Sequence, residues 1–312
     1  MRENHLAAQV VAEVKKAVVG KDEIVVKTLM AVLARGHVLL EDIPGVGKTT
    51  MAIAFSRALG LSYNRVQFTP DVMPSDLTGF SLYNKATGQM EYQPGALLCN
   101  LFLADELNRA TSRTQSALLE AMEEGRVTVD GVSHPVPEPF LVIATQNPAG
   151  ASGTQLLPDS QLDRFALRLT MGYPAAADEL ELLQRKLRGD PMAEVAQAAD
   201  HGQLARLREL VDQVFVDDEV LEYILRLVRA TRSHPQLAQG ASPRAAISVA
   251  ALARSSAFLR GRDYVVPEDV GYVWVDAVAH RLLLPAGAAD SAARAVQIAG
   301  ETLSSVRPPR IR

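Results

Sequence analysis

Residues 37–50 read His37-Val-Leu-Leu-Glu-Asp-Ile-Pro-Gly-Val-Gly-Lys-Thr-Thr50, a short apolar run that breaks into Pro44-Gly45-Val46-Gly47-Lys48-Thr49. An apolar strand feeding a glycine-rich turn and then a helix is the arrangement of a phosphate loop. The glycines let backbone N–H groups close around phosphate oxygens. Lys48 adds a point charge for β- and γ-phosphates, and Thr49 offers a hydroxyl to Mg²⁺. A helix from Thr50 turns its positive end toward the anion. One position departs from the G-x4-G-K-[ST] spacing, since Asp42 stands where the first glycine is usual. The helical spacing of Met51-Ala-Ile-Ala-Phe-Ser-Arg-Ala-Leu59 separates this loop from a chance Gly-Lys-Thr on a surface turn.

The loop sits in a chain of 312 residues, long enough for one large or two modest domains with a full core. A formal net charge of −4 provides no general field for nucleic acid or anionic lipid. The one cysteine, Cys99, excludes an internal disulfide and a thiolate metal cluster and fits a reducing compartment. The six histidines show no metal-ligand spacing. The first residues, Met-Arg-Glu-Asn-His, lack the apolar segment of a secretory signal, and no apolar run approaches the roughly 20 residues that span a bilayer. A cytoplasmic protein without membrane insertion is expected.

To about Tyr173, apolar strands alternate with helical stretches. Strands are predicted at His37–Glu41, Asn64–Phe68, Leu97–Ala104, Phe140–Ala144 and Ala166–Met171, with helices at Leu6–Val18, Lys21–Arg35, Thr49–Leu59 and Ser112–Glu124. Continuous apolar runs mark strands buried on both faces, as in a parallel sheet between helices. Two hairpins interrupt this pattern: Phe80–Tyr83 with Met90–Tyr92, and Arg126–Val129 with Val132–Val136 around an Asp130-Gly131 turn. Beyond Pro174 the pattern is helical: Ala177–Arg188, Gly202–Val214, Asp217–Ser233, Ser242–Arg260 and Pro267–Leu283. The expected organisation is an α/β nucleotide-binding core over 1–174, an all-helical lid over 175–284, and a tail over 285–312 that includes a helix at Ser291–Leu303.

Four further stretches carry chemistry. Asn100-Leu-Phe-Leu-Ala-Asp105-Glu106 is a buried strand ending in two carboxylates. Beside a phosphate loop, Asp105 can hold Mg²⁺ and Glu106 can polarise a water for in-line attack. The next strand ends Ile143-Ala-Thr-Gln-Asn147-Pro148, where an amide can orient that water or contact the γ-phosphate. Asp163-Arg164-Phe165 offers an arginine suited to a neighbouring subunit's γ-phosphate. In Ser242-Pro243-Arg244, serine caps a helix and proline opens it. An arginine in a first turn opposes the helix dipole, so local stability does not explain Arg244; a lid arginine folding onto nucleotide phosphates does.

With these elements in this order, the chain resembles the AAA+ ATPases, and within them the MoxR family. The matching stretches are Leu-Leu-Glu-Asp-Ile-Pro-Gly-Val-Gly-Lys-Thr, Leu-Ala-Asp-Glu-Leu-Asn-Arg-Ala, Ile-Ala-Thr-Gln-Asn-Pro, Leu-Pro-Asp-Ser-Gln-Leu-Asp-Arg-Phe and Gly-Ala-Ser-Pro-Arg-Ala, and the resemblance covers roughly residues 4–284. It implies Lys48 and Thr49 as Walker A, Asp105 and Glu106 as Walker B, Asn147 as sensor 1, Arg164 as arginine finger and Arg244 as sensor 2. Val19 and Gly20 fall in the segment that borders adenine, and Asn108-Arg109 would contact the neighbouring subunit. The hairpins match the family's helix-2 insert (78–97) and pre-sensor-1 insert (125–139), and Asp42 matches a family in which an acid or glycine occurs there. The resemblance further implies ATP and Mg²⁺ as cofactors and a hexameric ring with nucleotide bound between subunits. It also implies a remodelling chaperone, often paired with a von Willebrand factor A domain partner for metal insertion or complex maturation. Two other readings stand beside it. A DNA-directed motor or loader is disfavoured by the negative charge and by a second hairpin with one basic residue besides His134. A nucleotide switch or small-molecule kinase is disfavoured by Glu106 and the two arginines.

Overall fold

The computed structural model describes residues 2–41, 45–147, 157–285 and 291–310. Asp42 and Pro44 lie outside the described residues. The fold is built on β1 (His37–Glu41), a parallel strand whose first four residues are fully enclosed. Its neighbours are β8 (Leu141–Gln146) and β9 (Phe165–Leu169); outward from β8 come β5 (Leu101–Asp105) and β2 (Tyr63–Gln67). The resulting order is β2-β5-β8-β1-β9, with every pairing parallel. All five strands therefore point their C-terminal ends to one edge, where ligands of open α/β sheets bind. His37 is level with Phe165 at the opposite edge.

Three helices back one face of the sheet: α1 (Arg2–Ala17), α2 (Asp22–Leu33) and α3 (Lys48–Ala58). Helix α4 (Pro74–Thr78) and helix α5 (Ser112–Glu124) close the other, over a cluster that includes Phe68, Leu97, Phe102, Leu118 and Phe165. Local signals delimit α5. The Thr111 hydroxyl accepts from the Thr114 N–H at 3.4 Å, and Gly125 ends the helix at φ +64°.

The expected strand over Leu97–Ala104 is shorter than its apolar run. Leu97 and Cys99 are buried, yet they lie in a bend before β5. Asn100 holds that bend: its Oδ1 accepts from Ser62 N–H (3.2 Å) and Oγ (2.7 Å), while its own N–H donates to Ser62 Oγ. Burial rather than strand pairing explains the apolar residues there.

Both hairpins form. Strands β3 (Gly79–Asn84) and β4 (Gln89–Pro94) pair antiparallel, as do β6 (Arg126–Val129) and β7 (Val132–Pro135). Asp130 and Gly131 take φ values of +50° and +77°, the two left-handed residues that such a turn needs. The hairpins meet through stacked rings of Tyr92 and His134, with centroids 3.7 Å apart.

A short helix α6 (Asp159–Leu162) leads into β9, and α7 (Ala176–Arg188) follows the sheet without burying any residue. Helices α8 (His201–Asp212), α9 (Asp218–Arg232), α10 (Pro243–Leu259) and α11 (Pro267–Val278) form the helical unit. The predicted helix to Leu283 stops at Val278, where the backbone tightens into a 3₁₀ turn over Ala279–Arg281. Helix α12 (Ser291–Ser305) packs back onto this unit, burying Ile298 and Ala299, and the fully buried Trp274 donates its indole N–H to Ala299 O at 2.9 Å. Among the described residues, no helix is long and apolar enough to cross a membrane.

Candidate nucleotide site

The phosphate loop leaves β1 at the C-terminal edge of the sheet. Gly45 and Gly47 adopt φ values of +87° and +98°, and Gly47 is the residue before α3. Glycine suits these positions because a Cβ disfavours positive φ. The first N–H groups of α3 consequently face the loop, and Lys48, in its first turn, is buried.

Two cavities open on this loop. One, of about 350 Å³, is lined by Gly45, Gly47, Lys48, Thr49, Thr50, Asp105, Glu106, Asn147, Thr145, Arg65 and Gln67. The other, of about 680 Å³, runs from Gly45–Gly47, Thr49 and Thr50 to Val19, Tyr173 and the α7 side chains Leu182 and Arg185. The first has the polar lining that a triphosphate and an attacking water require; the second has the size and mixed lining of a nucleoside pocket. Gly20 lies one residue outside it, beside Asp178, in a neighbouring cleft that also touches Val19.

Thr145, in β8, organises the two carboxylates. Its Oγ1 donates to Asp105 Oδ1 at 2.6 Å and accepts the Glu106 N–H at 2.8 Å. Glu106 itself has φ +57° and ψ +44°, a left-handed conformation uncommon for a residue with a side chain. Arg65, from β2, donates to Asp105 Oδ2 through Nη2 (2.7 Å) and Nε (3.2 Å). Glu106 Oε2 accepts from Arg109 Nη1 at 2.9 Å, and Oε1 is 3.5 Å from Asn147 Nδ2. Arg109 above all, with desolvation opposing and Asn147 and Gln67 assisting, holds the Glu106 carboxyl below the usual range, so it stays ionised at neutral pH.

Asn108 and Arg109, expected at a neighbouring subunit, also make contacts within their own chain. Asn108 is buried and bonds reciprocally with the backbone of Asn147, donating to Asn147 O (3.2 Å) and accepting its N–H (3.4 Å). Sequence periodicity marked neither this pair nor Thr145 and Arg65, because each acts on a residue 39 or 40 positions away.

Arg164 and Arg244 are brought together, away from this cavity. Both donate to one carboxylate at the end of α5: Arg164 Nε to Glu123 Oε2 (2.9 Å), and Arg244 Nη2 to Glu123 Oε1 (2.5 Å). Arg164 immediately precedes β9, level with His37 at the N-terminal edge. The His37 imidazole fixes α5 at the same edge, accepting the Val142 N–H at Nδ1 (3.0 Å) and donating from Nε2 to Met122 O (3.1 Å). Five strand residues at about 3.3 Å each separate the two edges by roughly 16 Å. Arg244, expected to fold onto a nucleotide's phosphates, lies beside Arg164, on the far edge from its own chain's loop. Sequence analysis missed Glu123, which lies in an exposed helical turn with no local signature.

Comparison with known proteins agrees with this geometry. The profile of the "ATPase family associated with various cellular activities (AAA)" matches residues 37–167, and that of the "AAA lid domain" matches residues 229–299. The chain is 44% identical over 304 residues to the uncharacterized protein YeaC of Bacillus subtilis strain 168, covering 97% of this chain and 95% of that one. It is 42% identical over 291 residues to the chaperone MoxR1 of Mycobacterium tuberculosis H37Rv, covering 90% and 77% respectively. A crystal structure of a candidate ATPase from Cytophaga hutchinsonii superposes with a TM-score of 0.89 at 35% identity, over 99% of this chain and 96% of that one. With five parallel strands in AAA+ order, a phosphate loop facing two ordered carboxylates, and relatives of this identity across nearly its whole length, the chain belongs to the MoxR family of AAA+ ATPases.

Proposed function

We propose that copies of this chain assemble into a hexameric ring in the cytoplasm and hydrolyse ATP at sites shared between neighbours, with Lys48, Thr49, Asp105, Glu106 and Asn147 supplied by one copy and Arg164 and Arg244 by the next. The observation that carries this reading is the separation just described. The first five residues line one cavity, and the two arginines converge on the opposite edge of the sheet, beyond the reach of their own phosphate loop.

In the shared site the backbone N–H groups of the loop and Lys48 take the phosphates, while Val19 and the α7 face enclose the nucleoside. Glu106 accepts a proton from the attacking water once that water displaces the Arg109 contact, and Asn147 orients the water beside Glu106 Oε1. Arg164 and Arg244 neutralise charge that develops on the γ-phosphate's oxygens. The donor set suits Mg²⁺. Thr49 and Asp105 are hard oxygen ligands on one cavity, and this ion takes one or two protein groups and completes its shell with phosphate and water. Among the described residues, no cluster of three or more His, Cys, Asp or Glu forms a protein-only cage. When bound there, the ion would supply charge neutralisation between the phosphates.

The work done with this ATP we read as chaperoning: remodelling or maturing a partner protein complex. A von Willebrand factor A domain protein is the partner class, and metal or cofactor insertion the task, that the family resemblance supplies. The first hairpin supports a polypeptide client over nucleic acid, because it exposes Phe80, Leu82, Tyr83 and Met90 and carries a single basic residue, Lys85. In the division we propose, residues 1–174 form the core and the following helices the lid, with α12 counted in the lid because it packs there.

Complementation tests the shared site. Arg164→Ala keeps a complete phosphate loop, and Lys48→Ala keeps both arginines. Each alone should lose at least 95% of ATPase activity, and an equimolar mixture should recover a measurable fraction, about a tenth or more of wild type. Two silent variants that stay silent when mixed at high concentration would refute sharing.

A further inference from the structure

We propose that Glu123 is a resident counter-ion of the arginine pair: it occupies the point where Arg164 and Arg244 converge and is exchanged for the γ-phosphate of a nucleotide bound to a neighbouring copy. This inference rests on the shared-site reading above. Three observations carry it.

First, the two guanidiniums sit on separate oxygens of one carboxylate, at 2.9 and 2.5 Å, so an anion already occupies the point where they converge. A third cation, Arg281, lies close behind. It is buried, and its guanidinium donates to Asp163 O and Phe165 O at 3.0 and 2.9 Å. Arg281 has the Asp163 carboxylate as its own counter-ion, so the anion between Arg164 and Arg244 is Glu123, with a single negative charge. A γ-phosphate presents more charge and three oxygens to the same pair.

Second, Glu123 is not what keeps the two arginines adjacent. A separate clamp does that from their backbones. Ser242 Oγ reaches Asp163 Oδ1 (3.0 Å) and Oδ2 (3.1 Å), and Arg281 Nε lies 3.0 Å from Asp163 Oδ1. Asp163 is joined by a peptide bond to Arg164, and Ser242 stands two residues before Arg244. Arg164 is anchored again through Nη1 to Ser160 O at 3.1 Å. With the chain positions held by this clamp, the Glu123 contacts can break without the pair dispersing.

Third, the contacts with Glu123 are weak enough to exchange. The Glu123 and Arg244 side chains are 39% and 44% exposed, and ion pairs in such surroundings contribute little and are screened by salt. Once the arginines engage a neighbour's nucleotide, a carboxylate at the same spot also repels the phosphates. Both effects make Glu123 a competitor of the ligand. Its removal should therefore strengthen engagement between copies.

The test is Glu123→Gln in the full chain, which keeps shape and removes charge, with Glu123→Asp as the conservative control. ATPase activity is followed against protein concentration at saturating ATP and at two salt concentrations. For Glu123→Gln the protein concentration at half-maximal activity should fall roughly two- to twentyfold, the range expected from losing two exposed ion pairs. The plateau kcat should stay within about twofold, and the difference between variant and wild type should shrink at high salt. Glu123→Asp should stay close to wild type. A midpoint that is unchanged or higher, or a plateau that falls severalfold in a variant with wild-type thermal melting, would overturn the exchange and make Glu123 a fixed support. Glu123→Ala, measured in parallel, separates loss of charge from any effect of the introduced amide. The complementation mixture is the independent arm: if Arg164→Ala and Lys48→Ala do not rescue each other, the shared site itself fails, whatever Glu123→Gln does.

Discussion

Thr145→Val is the perturbation that most directly probes how the hydrolytic site is held. Thr145 is 1% exposed, and valine reproduces its shape while removing one hydroxyl. Two bonds disappear together: the 2.6 Å donation to Asp105 Oδ1 and the 2.8 Å acceptance of the Glu106 N–H. A hydrogen bond to a charged group contributes about 1.5–3 kcal/mol and a neutral one about 0.5–1.5 kcal/mol. Arg65 still serves Asp105 Oδ2, so part of the carboxylate's loss is made good, and a net destabilisation of about 2–3 kcal/mol follows from those values. The kinetic effect works through Glu106. Its left-handed backbone is disfavoured by roughly 1–2 kcal/mol for a residue with a Cβ, and the Thr145 bond is one restraint that maintains it. Released, the residue relaxes and its carboxylate withdraws from the cavity. If about 2 kcal/mol of that positioning is expressed in the transition state, kcat falls roughly 30-fold. Phosphate release at saturating ATP and protein measures kcat, and titration of a fluorescent ATP analogue measures binding separately. The expected pattern is a kcat loss of about 10- to 100-fold with nucleotide affinity within about threefold of wild type. Thr145→Ser should stay within about threefold of wild-type kcat. A folded Thr145→Val protein with wild-type kcat, or one that loses only nucleotide binding, would refute the reasoning.

Two further outcomes follow from buried groups. Burial pushes the His37 imidazole down from its usual 6.5 to about 4, with the Met122 carbonyl only partly opposing. The fold therefore binds the neutral ring, and the unfolded chain takes up the proton first. This contribution to stability is complete above about pH 6.5 and is lost as pH falls toward about 4, for a total of roughly 3 kcal/mol. His280, also buried and pushed well below its usual value, acts in the same direction. Urea unfolding at pH 7 and pH 5 should show a drop in stability that is smaller in His37→Gln; an identical drop would exclude His37 as its source. Trp274→Phe removes the indole donor to Ala299 O and should destabilise the chain by about 1–3 kcal/mol, through the lost hydrogen bond together with the space left by the smaller ring. Circular dichroism during denaturation measures this, and a loss below about 0.5 kcal/mol would show that α12 does not depend on the bond. Trp274 is the chain's one tryptophan, so wild-type fluorescence reports the same event.

Much of this molecule was legible without coordinates because the relevant signals are local. An apolar run ending in Gly45-Val46-Gly47-Lys48 marks a buried strand, a turn with positive φ and a helix start. Asp130-Gly131 similarly marks a hairpin, and Ser242 marks a helix start through its cap. Each is a property of a few consecutive residues, and backbone geometry alone reads it. Resemblance of the motifs extended that reading to the family. What tertiary structure alone decided are the pairings across long separations. Leu97 and Cys99 have strand-like composition but lie in a bend, because burial and not pairing made them apolar. Asn108 and Arg109 turn inward to Asn147 and Glu106, and Thr145 joins Asp105 to Glu106. Arg244 meets Arg164 on Glu123, 121 positions away from that carboxylate in sequence. The side chain that an arginine finds depends on which strand edge its element reaches. Strand order sets that edge, and no periodicity within a single segment encodes it.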